Sequence, residues 1–419
     1  MLDIKFIRQN KDLMKEVVKN KRVKLDIDEL LGLDERRREL IQKSEELKSR
    51  QNKLTKDDIE TGREIKGTIK EMEAELKEIE KKYQELMLVV PNVYSADTPI
   101  GPDESGNKEV YKWGKLPRFD FPIKDHIQLG KDLDLIDLER GVKTAGFRGY
   151  YLKNEAALMS LALIWHCVLK MKKRGFTIMI PPTILREFAL VGSGHFPFGR
   201  EEIYQIANPG KLADGNKISE TLFLAGTAEP SLLAYFSGRI LESEELPVKV
   251  CGFSSCYRSE IGSYGKDTKG LYRLHEFMKV EQVILCADNI EKSNRYLEEM
   301  KAVTQEILEE LKLPYRVIQI CTGDMGAGKY KMYDIETWMP SRNSYGETHS
   351  DSNLTDWQAR RLNIKYRDGS EKKFVYTLNN TVIASPRILI AILENYQQKD
   401  GSVRVPKVLQ KYLGISVIK

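Results

Sequence analysis

An α+β fold, an antiparallel sheet with segregated helices behind an antiparallel coiled-coil hairpin, is what three features of the sequence predict. A leucine recurs at every seventh position through Leu33, Leu40, Leu47 and Leu54. A second apolar series follows, Ile65, Ile69, Met72, Leu76, Ile79, Tyr83 and Leu86, in steps of four and three. Beyond residue 176 strand-like runs with Gly-rich turns dominate, and only a few helical stretches interrupt them. The first two patterns make the seam of two paired helices, and the third makes a sheet.

The hairpin reading accounts for the first hundred residues. Two arms of roughly 30 residues would each extend about 45 Å. Thr55 followed by Asp58 looks like a capping box opening the second arm, Gly62 and Gly67 weaken it near the tip, and Pro91 stops it. Its outer face carries both signs of charge: Arg36, Arg37, Arg38, Lys43, Lys48, Arg50 and Lys53 on one arm, Lys66, Lys70, Lys77, Lys81 and Lys82 on the other. Interspersed glutamates suit i,i+4 pairs, so the pattern alone reads first as a solvated coiled-coil face and second as an RNA-gripping arm.

Residues 91–150, rich in Pro, Gly and Asp, read as a linker with short strands. An apolar helix over 157–165 then leads through Gly175 into a strand at 177–180 and on to Pro181-Pro182. A further helix is expected at about 289–311. Two domains follow, 1–100 and 101–419, in keeping with a chain of 419 residues.

Composition narrows the class. With 41% hydrophobic and 31% charged residues the chain is not a disordered one. A net charge of +5 permits a nucleic-acid partner without arguing for it. The opening Met1-Leu2-Asp3-Ile4-Lys5-Phe6-Ile7 is not a signal peptide, and no apolar run is long enough to span a bilayer. Five scattered cysteines without a CxxC fit buried thiols in a reducing cytoplasm rather than a zinc module at Cys251 and Cys256.

One motif misleads. Residues 323–330 nearly spell a phosphate-binding GxxxxGK[ST] loop, but Tyr330 is too large for the magnesium-binding hydroxyl position. The residues that follow, 333–340, alternate like a strand, whereas such a loop must open a helix.

The chemistry concentrates in 227–281. Thr227-Ala228-Glu229 opens it, a strand at 248–253 leads to Arg258-Ser259-Glu260, and a basic, mobile loop over 261–270 returns through Arg273, His275, Phe277, Lys279 and Glu281. Period-two geometry puts Phe277, Lys279 and Glu281 on one face, with about 13 Å between the first and last. That is roughly the reach from an adenine ring to an amino acid beyond the α-phosphate. From spacing alone a half-buried strand with a packed Phe and a surface Glu reads slightly better.

Resemblance decides between them. Arg258-Ser259-Glu260 with the loop and Phe277 to Glu281 resembles motif 2 of class II aminoacyl-tRNA synthetases. Residues 175–182 resemble motif 1, which builds that class's dimer interface. Ala384-Ser385-Pro386-Arg387 with Leu393-Glu394-Asn395 resembles motif 3, marked by its arginine. From the opening Leu2-Asp3-Ile4 through Cys321 to Gly326, Ser352-Asn353 and Gln358 to Arg361, the whole chain is similar to seryl-tRNA synthetases.

The resemblance implies a serine site of Thr227, Ala228, Glu229, Arg258, Glu281 and Thr381, the last in Asn379-Asn380-Thr381. It implies an ATP site of Arg258, Ser259, Glu260, Glu347, Thr348, His349, Ser350 and Arg387, with Phe277 under the adenine and Arg387 over it. Glu347 and Ser350 would help hold Mg2+, and Arg258 and Arg387 would serve catalysis. Implied partners are L-serine, tRNA(Ser) held by the hairpin, tRNA(Sec) where that tRNA exists, and a second copy of the chain. Gly346 stands where many members carry arginine. Thr348-His349, Asp351, Val382 and Ser385-Pro386 also depart from the commoner pattern. His349 is read as structural or solvent-facing. Two alternatives remain: a paralogue that hands an activated amino acid to a carrier, and a non-catalytic RNA-binding scaffold.

Overall fold

The computed structural model describes residues 1–54, 58–208, 210–211, 213–261 and 269–419. They form two compact units, Met1–Val93 and Tyr94–Lys419.

The first unit is helical: α1 (Ile4–Gln9), α2 (Lys11–Asn20), α3 (Ile27–Gln51) and α4 (Ile59–Val89). Asp3 caps α1 by accepting from the Lys5 amide at 2.8 Å, and Asp26 caps α3 through the Asp28 amide at 2.8 Å. The long pair is the expected hairpin. Leu40, Ile65, Ile69 and Tyr83 are buried in its seam, and the other seam positions are half-buried, as two helices sharing one stripe require. Arms of 25 and 31 residues extend about 37 Å and about 46 Å.

Glutamates on α4 pair across the hairpin rather than only along one helix. Arg37 meets Glu80 at 3.3 Å, Arg36 meets Glu75 at 2.8 Å and Lys48 meets Glu73 at 2.7 Å. Between Arg37–Glu80 and Lys48–Glu73 the numbering rises on α3 and falls on α4, as an antiparallel pair requires. Exposed pairs of this kind add little stability. Buried Asp34 is different: Arg8 at 3.3 Å and Arg38 at 3.2 Å neutralise it, tying α1 to α3. The capping position Thr55 lies outside the described residues, and the end of α4 at Val89 falls two residues before Pro91.

The second unit is organised by an eight-stranded sheet. Its strands are β1 (Lys108–Trp113), β2 (Thr177–Met179), β3 (Val248–Tyr257), β4 (Glu276–Cys286), β5 (Tyr315–Gln319), β6 (Lys331–Met339), β7 (Ser344–Asn353) and β8 (Tyr376–Ala384). Their spatial order is β1-β5-β6-β7-β8-β4-β3-β2. Every neighbouring pair is antiparallel except the last, where β2 runs parallel to β3. The expected antiparallel sheet is thus correct for all but one edge.

Helices cover the sheet: α5 (His126–Asp132), α6 (Leu138–Ala145), α7 (Asn154–Lys173), α8 (Glu187–Ser193), α9 (Glu229–Ala234), α10 (Ile290–Glu310), α11 (Trp357–Leu362) and α12 (Ser385–Asn395). The main core joins α7, α10 and α12 to the sheet through Met159, Leu163, Met300, Ile307, Ile388 and Ile392.

The linker expectation for 91–150 needs correction. β1 is an edge of the main sheet, and Leu129 and Leu135 are part of the core. His126 anchors the segment. Its Nε2 accepts from the Leu271 amide at 3.2 Å, so Nδ1 carries the proton and donates to Glu394 of α12 at 2.9 Å. Glu394 also accepts from the Ser341 amide at 3.0 Å and its hydroxyl at 2.9 Å. Burial alone would raise the Glu394 carboxyl, but these donors outweigh it and hold it below the usual range. Gly270, at φ +73°, passes so close to this ring that a Cβ would lie 2.1 Å from Nε2.

The rejected phosphate loop has another use. A Cβ on Gly328 would come within 2.7 Å of the Trp357 ring, and the following β6 alternates in burial as expected. Among the described residues no helix is long and apolar enough to cross a membrane, and all five cysteines are buried and free.

Candidate active site

The cleft begins where β3 and β4 pair. Cys256 stands opposite Phe277 and Gly252 opposite Glu281. A Cβ at Gly252 would press to 2.9 Å on Ala228, so the glycine lets α9 approach the sheet. Arg258 follows the last residue of β3. Its Nε donates to the Gly226 carbonyl at 3.2 Å, and its guanidinium lies 5.3 Å from the Phe277 ring centre. Glu260 takes the left-handed conformation at φ +54° and accepts from Arg273 at 3.1 Å. Ser259 turns elsewhere: its hydroxyl donates to the Glu201 carbonyl at 2.8 Å. The loop residues 262–268 lie outside the described residues.

At the inner end, β4 and β8 set Glu281 directly against Thr381. Thr381 Oγ1 donates to Glu281 Oε2 at 3.4 Å, and Lys279 Nζ forms a close ion pair with the same carboxylate. Only 2% of Glu281 is exposed. Burial pushes its carboxyl up, while the Lys279 ammonium opposes that rise. An extra residue, Val382, bulges out of β8 just after this pair.

Glu229 opens α9 and is buried. Its Oε1 accepts from Gln358 Nε2 at 2.6 Å and Asn379 Nδ2 at 2.8 Å. Gln358 in turn accepts from the Thr377 hydroxyl at 2.7 Å and donates to the Ser193 carbonyl at 2.8 Å. Buried Thr227 keeps a hydroxyl with no partner among the described residues. Ala228 is a packing residue of the second core.

The outer end lies over β6 and β7. Glu336 pairs with Glu347, but Ile335 pairs with His349, so Thr348 is an extra residue. Residues three apart on a regular strand face opposite ways. This bulge instead puts Glu347 and Ser350 on one face, opposite Glu336 and Asp334. Thr348 spends its hydroxyl on Thr337 at 2.8 Å and the Ile335 carbonyl at 3.1 Å. His349 is not solvent-facing: at 1% exposure, burial and then Arg387 push its pKa down to about 3, and the ring is neutral. Asp351 is buried too, and its carboxyl is pushed well above the usual range by that burial.

Arg387 sits in the first turn of α12, where Pro386 needs no backbone donor. Its Nη1 donates to the Glu347 carbonyl at 2.8 Å, and its guanidinium stacks on Tyr272, 4.5 Å from the ring centre. Arg342 stacks at 4.5 Å on the same ring. The space beside Gly346 is filled, since a Cβ there would meet Tyr272 Oη at 3.0 Å and Met339 at 3.1 Å. Arg258, Glu260, Phe277, Lys279, Glu347, Thr348, His349, Ser350, Thr381 and Arg387 all line one cleft of about 520 Å³.

The oxygens over β6 and β7 suit a hard cation. Glu347 and Ser350 share a face, and half-buried Asp334 beside them has a buried Oδ1 without a partner among the described residues. Burial first and Glu347 second push the Asp334 carboxyl well above its ordinary range. No group of three or more His, Cys, Asp and Glu side chains among the described residues could hold a metal unaided. Mg2+ bound by one or two protein oxygens normally takes its other ligands from phosphates and water.

A family profile described as "Seryl-tRNA synthetase N-terminal domain" matches residues 1–94, and one described as "tRNA synthetase class II core domain (G, H, P, S and T)" matches 211–396. A serine–tRNA ligase of Deinococcus radiodurans is 42% identical over 99% of this chain and 98% of its own length. The chain belongs to the seryl-tRNA synthetase family. Another serine–tRNA ligase, from Borreliella afzelii, is 42% identical over 100% of this chain and 99% of its own. The seryl-tRNA synthetase of Pyrococcus horikoshii, solved in complex with ATP, superposes with a TM-score of 0.91 at 37% identity, covering 100% of this chain and 99% of that one. A cytoplasmic serine–tRNA ligase of Naegleria fowleri in complex with AMP gives 0.89 at 31%, with coverage of 100% and 99%.

Several residues in and around the cleft of this seryl-tRNA synthetase family member carry no mark in the sequence pattern. Tyr272 stands two residues beyond the basic loop, where nothing in the spacing singles out its ring. Gln358 and Asn379 stood in quoted runs without roles, although buried amides beside a buried carboxylate are natural partners. Lys279 was placed on the right face, but its ion pair was not foreseen.

Proposed function

We propose that this chain is a serine–tRNA ligase, an aminoacyl-tRNA ligase that activates L-serine with ATP and Mg2+ and loads it onto tRNA(Ser), and onto tRNA(Sec) where that tRNA exists. One observation carries the reading: Thr381 and Lys279 line an arginine-bearing cleft, and both contact the buried carboxylate of Glu281 just behind its wall.

In the first step a serine carboxylate oxygen bonds to the α-phosphorus of ATP and the bond to pyrophosphate breaks. Negative charge gathers at the phosphorus, where Arg258 and Arg387 stabilise it. Phe277 supports the adenine ring, and Arg387 covers it. Adenine entry therefore moves Arg258 off the Phe277 face and frees it for the phosphate. Ser259 contributes through its backbone, because its hydroxyl is engaged, and Glu260 lines the entrance. Glu347 and Ser350 would hold Mg2+, which supplies charge neutralisation to the phosphates. Thr348 and His349 shape the wall behind them.

Glu281 takes the serine ammonium and, with Thr381, the hydroxyl; Thr227 and Glu229 complete the polar lining and Ala228 sets its depth. Alanine would leave these buried groups unpaired, which costs far more than a lost methylene. In the second step a terminal ribose hydroxyl attacks the seryl carbonyl and AMP leaves.

The hairpin carries the RNA interaction in this reading, with exposed Lys66, Lys70 and Lys77 along one face of α4. The chain acts as a cytoplasmic homodimer. On α7, Leu158, Leu161 and Trp165 form a stripe about half exposed (52%, 53% and 54%), and nearby Ile180 is 83% exposed. Such a stripe suits an obligate interface.

Pyrophosphate exchange into ATP is expected with serine, and alanine should be at least about 10³-fold poorer in kcat/KM. No exchange would favour a scaffold, and exchange without tRNA charging would favour delivery to a carrier. Replacing Lys66, Lys70 and Lys77 with glutamine should raise the KM for tRNA about tenfold and flatten its salt dependence, with exchange unchanged. Unaltered charging would remove the hairpin from the interface. Sedimentation at micromolar concentration should give a dimer; a monomer would refute that part.

A further inference from the structure

Lys279 is a buried cation without an assigned part in the reaction. Its side chain is 6% exposed, and it stands between Phe277 and Glu281 on one face of β4. Its Cα is therefore about 7 Å from each end of the 13 Å span, beside the place the α-phosphate must occupy. Nζ turns towards Glu281. It pairs closely with Glu281 and lies 3.5 Å from Thr381 Oγ1.

Those are the two groups assigned to the serine ammonium and hydroxyl, so the lysine holds the position of a substrate cation. A carboxylate as buried as Glu281 is costly without a positive partner. Lys279 satisfies it before substrate arrives. Serine brings an ammonium of the same charge and donor type to the same oxygens. Lys279 also lines the cleft, so its displaced Nζ has a route along the face towards Phe277.

Resting on the serine-activation reading, we infer that Lys279 is an exchangeable counter-ion: serine displaces its ammonium from Glu281 and thereby delivers a third cationic side chain to the reacting phosphate. No bond forms to the lysine and its proton stays in place. The serine carboxylate oxygen bonds to phosphorus, pyrophosphate leaves with its electron pair, and Nζ stabilises the charge on the phosphate oxygens. Serine binding would thus switch on the electrostatics of its own activation, and ATP without serine would face a site short of one cation. A fixed counter-ion would instead stay on Glu281 throughout, with the serine ammonium bound beside it.

The two arrangements separate kcat from KM. In full-length Lys279→Met, kcat for serine-dependent exchange should fall about 100-fold, the scale of a lost oxyanion-stabilising group. Serine affinity by calorimetry should stay within about threefold, because the competing cation has gone along with its field. Lys279→Arg should recover most of the kcat. A tenfold loss of serine affinity with kcat near wild type would overturn the inference. If Lys279→Met does not fold, reductive methylation of the wild type decides by mass spectrometry. Serine without ATP should speed labelling of Lys279 severalfold, and unchanged or slower labelling would overturn the proposal. Absence of exchange in the wild type would be a failure of the serine-activation reading instead.

Discussion

A negative charge at the centre of a sheet is the constraint around which the second unit is arranged. Glu281 is 2% exposed, in the middle of β4, with strands on both sides. Ionised carboxylates do not remain in such places without cations and donors. Lys279 and Thr381 supply both, and Glu229, buried nearby, is held by its own pair of amides from Gln358 and Asn379. These groups form a polar cluster in an otherwise apolar core, and in the serine-activation reading that polarity is what selects a small hydroxylated amino acid.

Strand geometry sets the rest of the cleft. The period of two puts an aromatic ring, a cation and a carboxylate in line on β4, and pairing brings Thr381 across from the last of them. Where regular geometry would fail, bulges intervene. The extra residue Thr348 brings Glu347 and Ser350 to one face, and the extra residue Val382 shifts the register of β8 between Thr381 and Ile383, a few residues before α12 delivers Arg387. Both irregularities lie beside the cleft, where a strand must aim side chains that a flat ladder would misdirect. His126 and Glu394 then tie α12 to the return of the motif 2 loop.

Much of this was legible in the residues themselves. The heptad leucines gave the hairpin because a two-helix seam leaves a repeat that needs no partner to be recognised. The face shared by Phe277, Lys279 and Glu281 follows from alternation alone, and the roles proposed for these residues rest on motif resemblance. Residues 91–150 were misread because helices of seven or eight residues, such as α5 and α6, are too short to show a period. The parallel edge between β2 and β3 was invisible, since pairing direction is a property of two distant segments. The bulge at Thr348, and with it the burial of His349, could not be read from a sequence that looks like an ordinary alternating strand. Gly346 was legible as a departure, but not that Tyr272 and Met339 fill its space.

The central claim is that Glu281 and Thr381 form the amino-acid pocket. The most direct measurement is a crystal structure of this chain with a non-hydrolysable seryl-adenylate analogue. The account predicts its ammonium within hydrogen-bonding distance of the Glu281 carboxylate, its hydroxyl turned to Glu281 and Thr381, and its adenine on Phe277. An analogue bound with its seryl group away from Glu281, or with Thr381 facing the adenine, would contradict it.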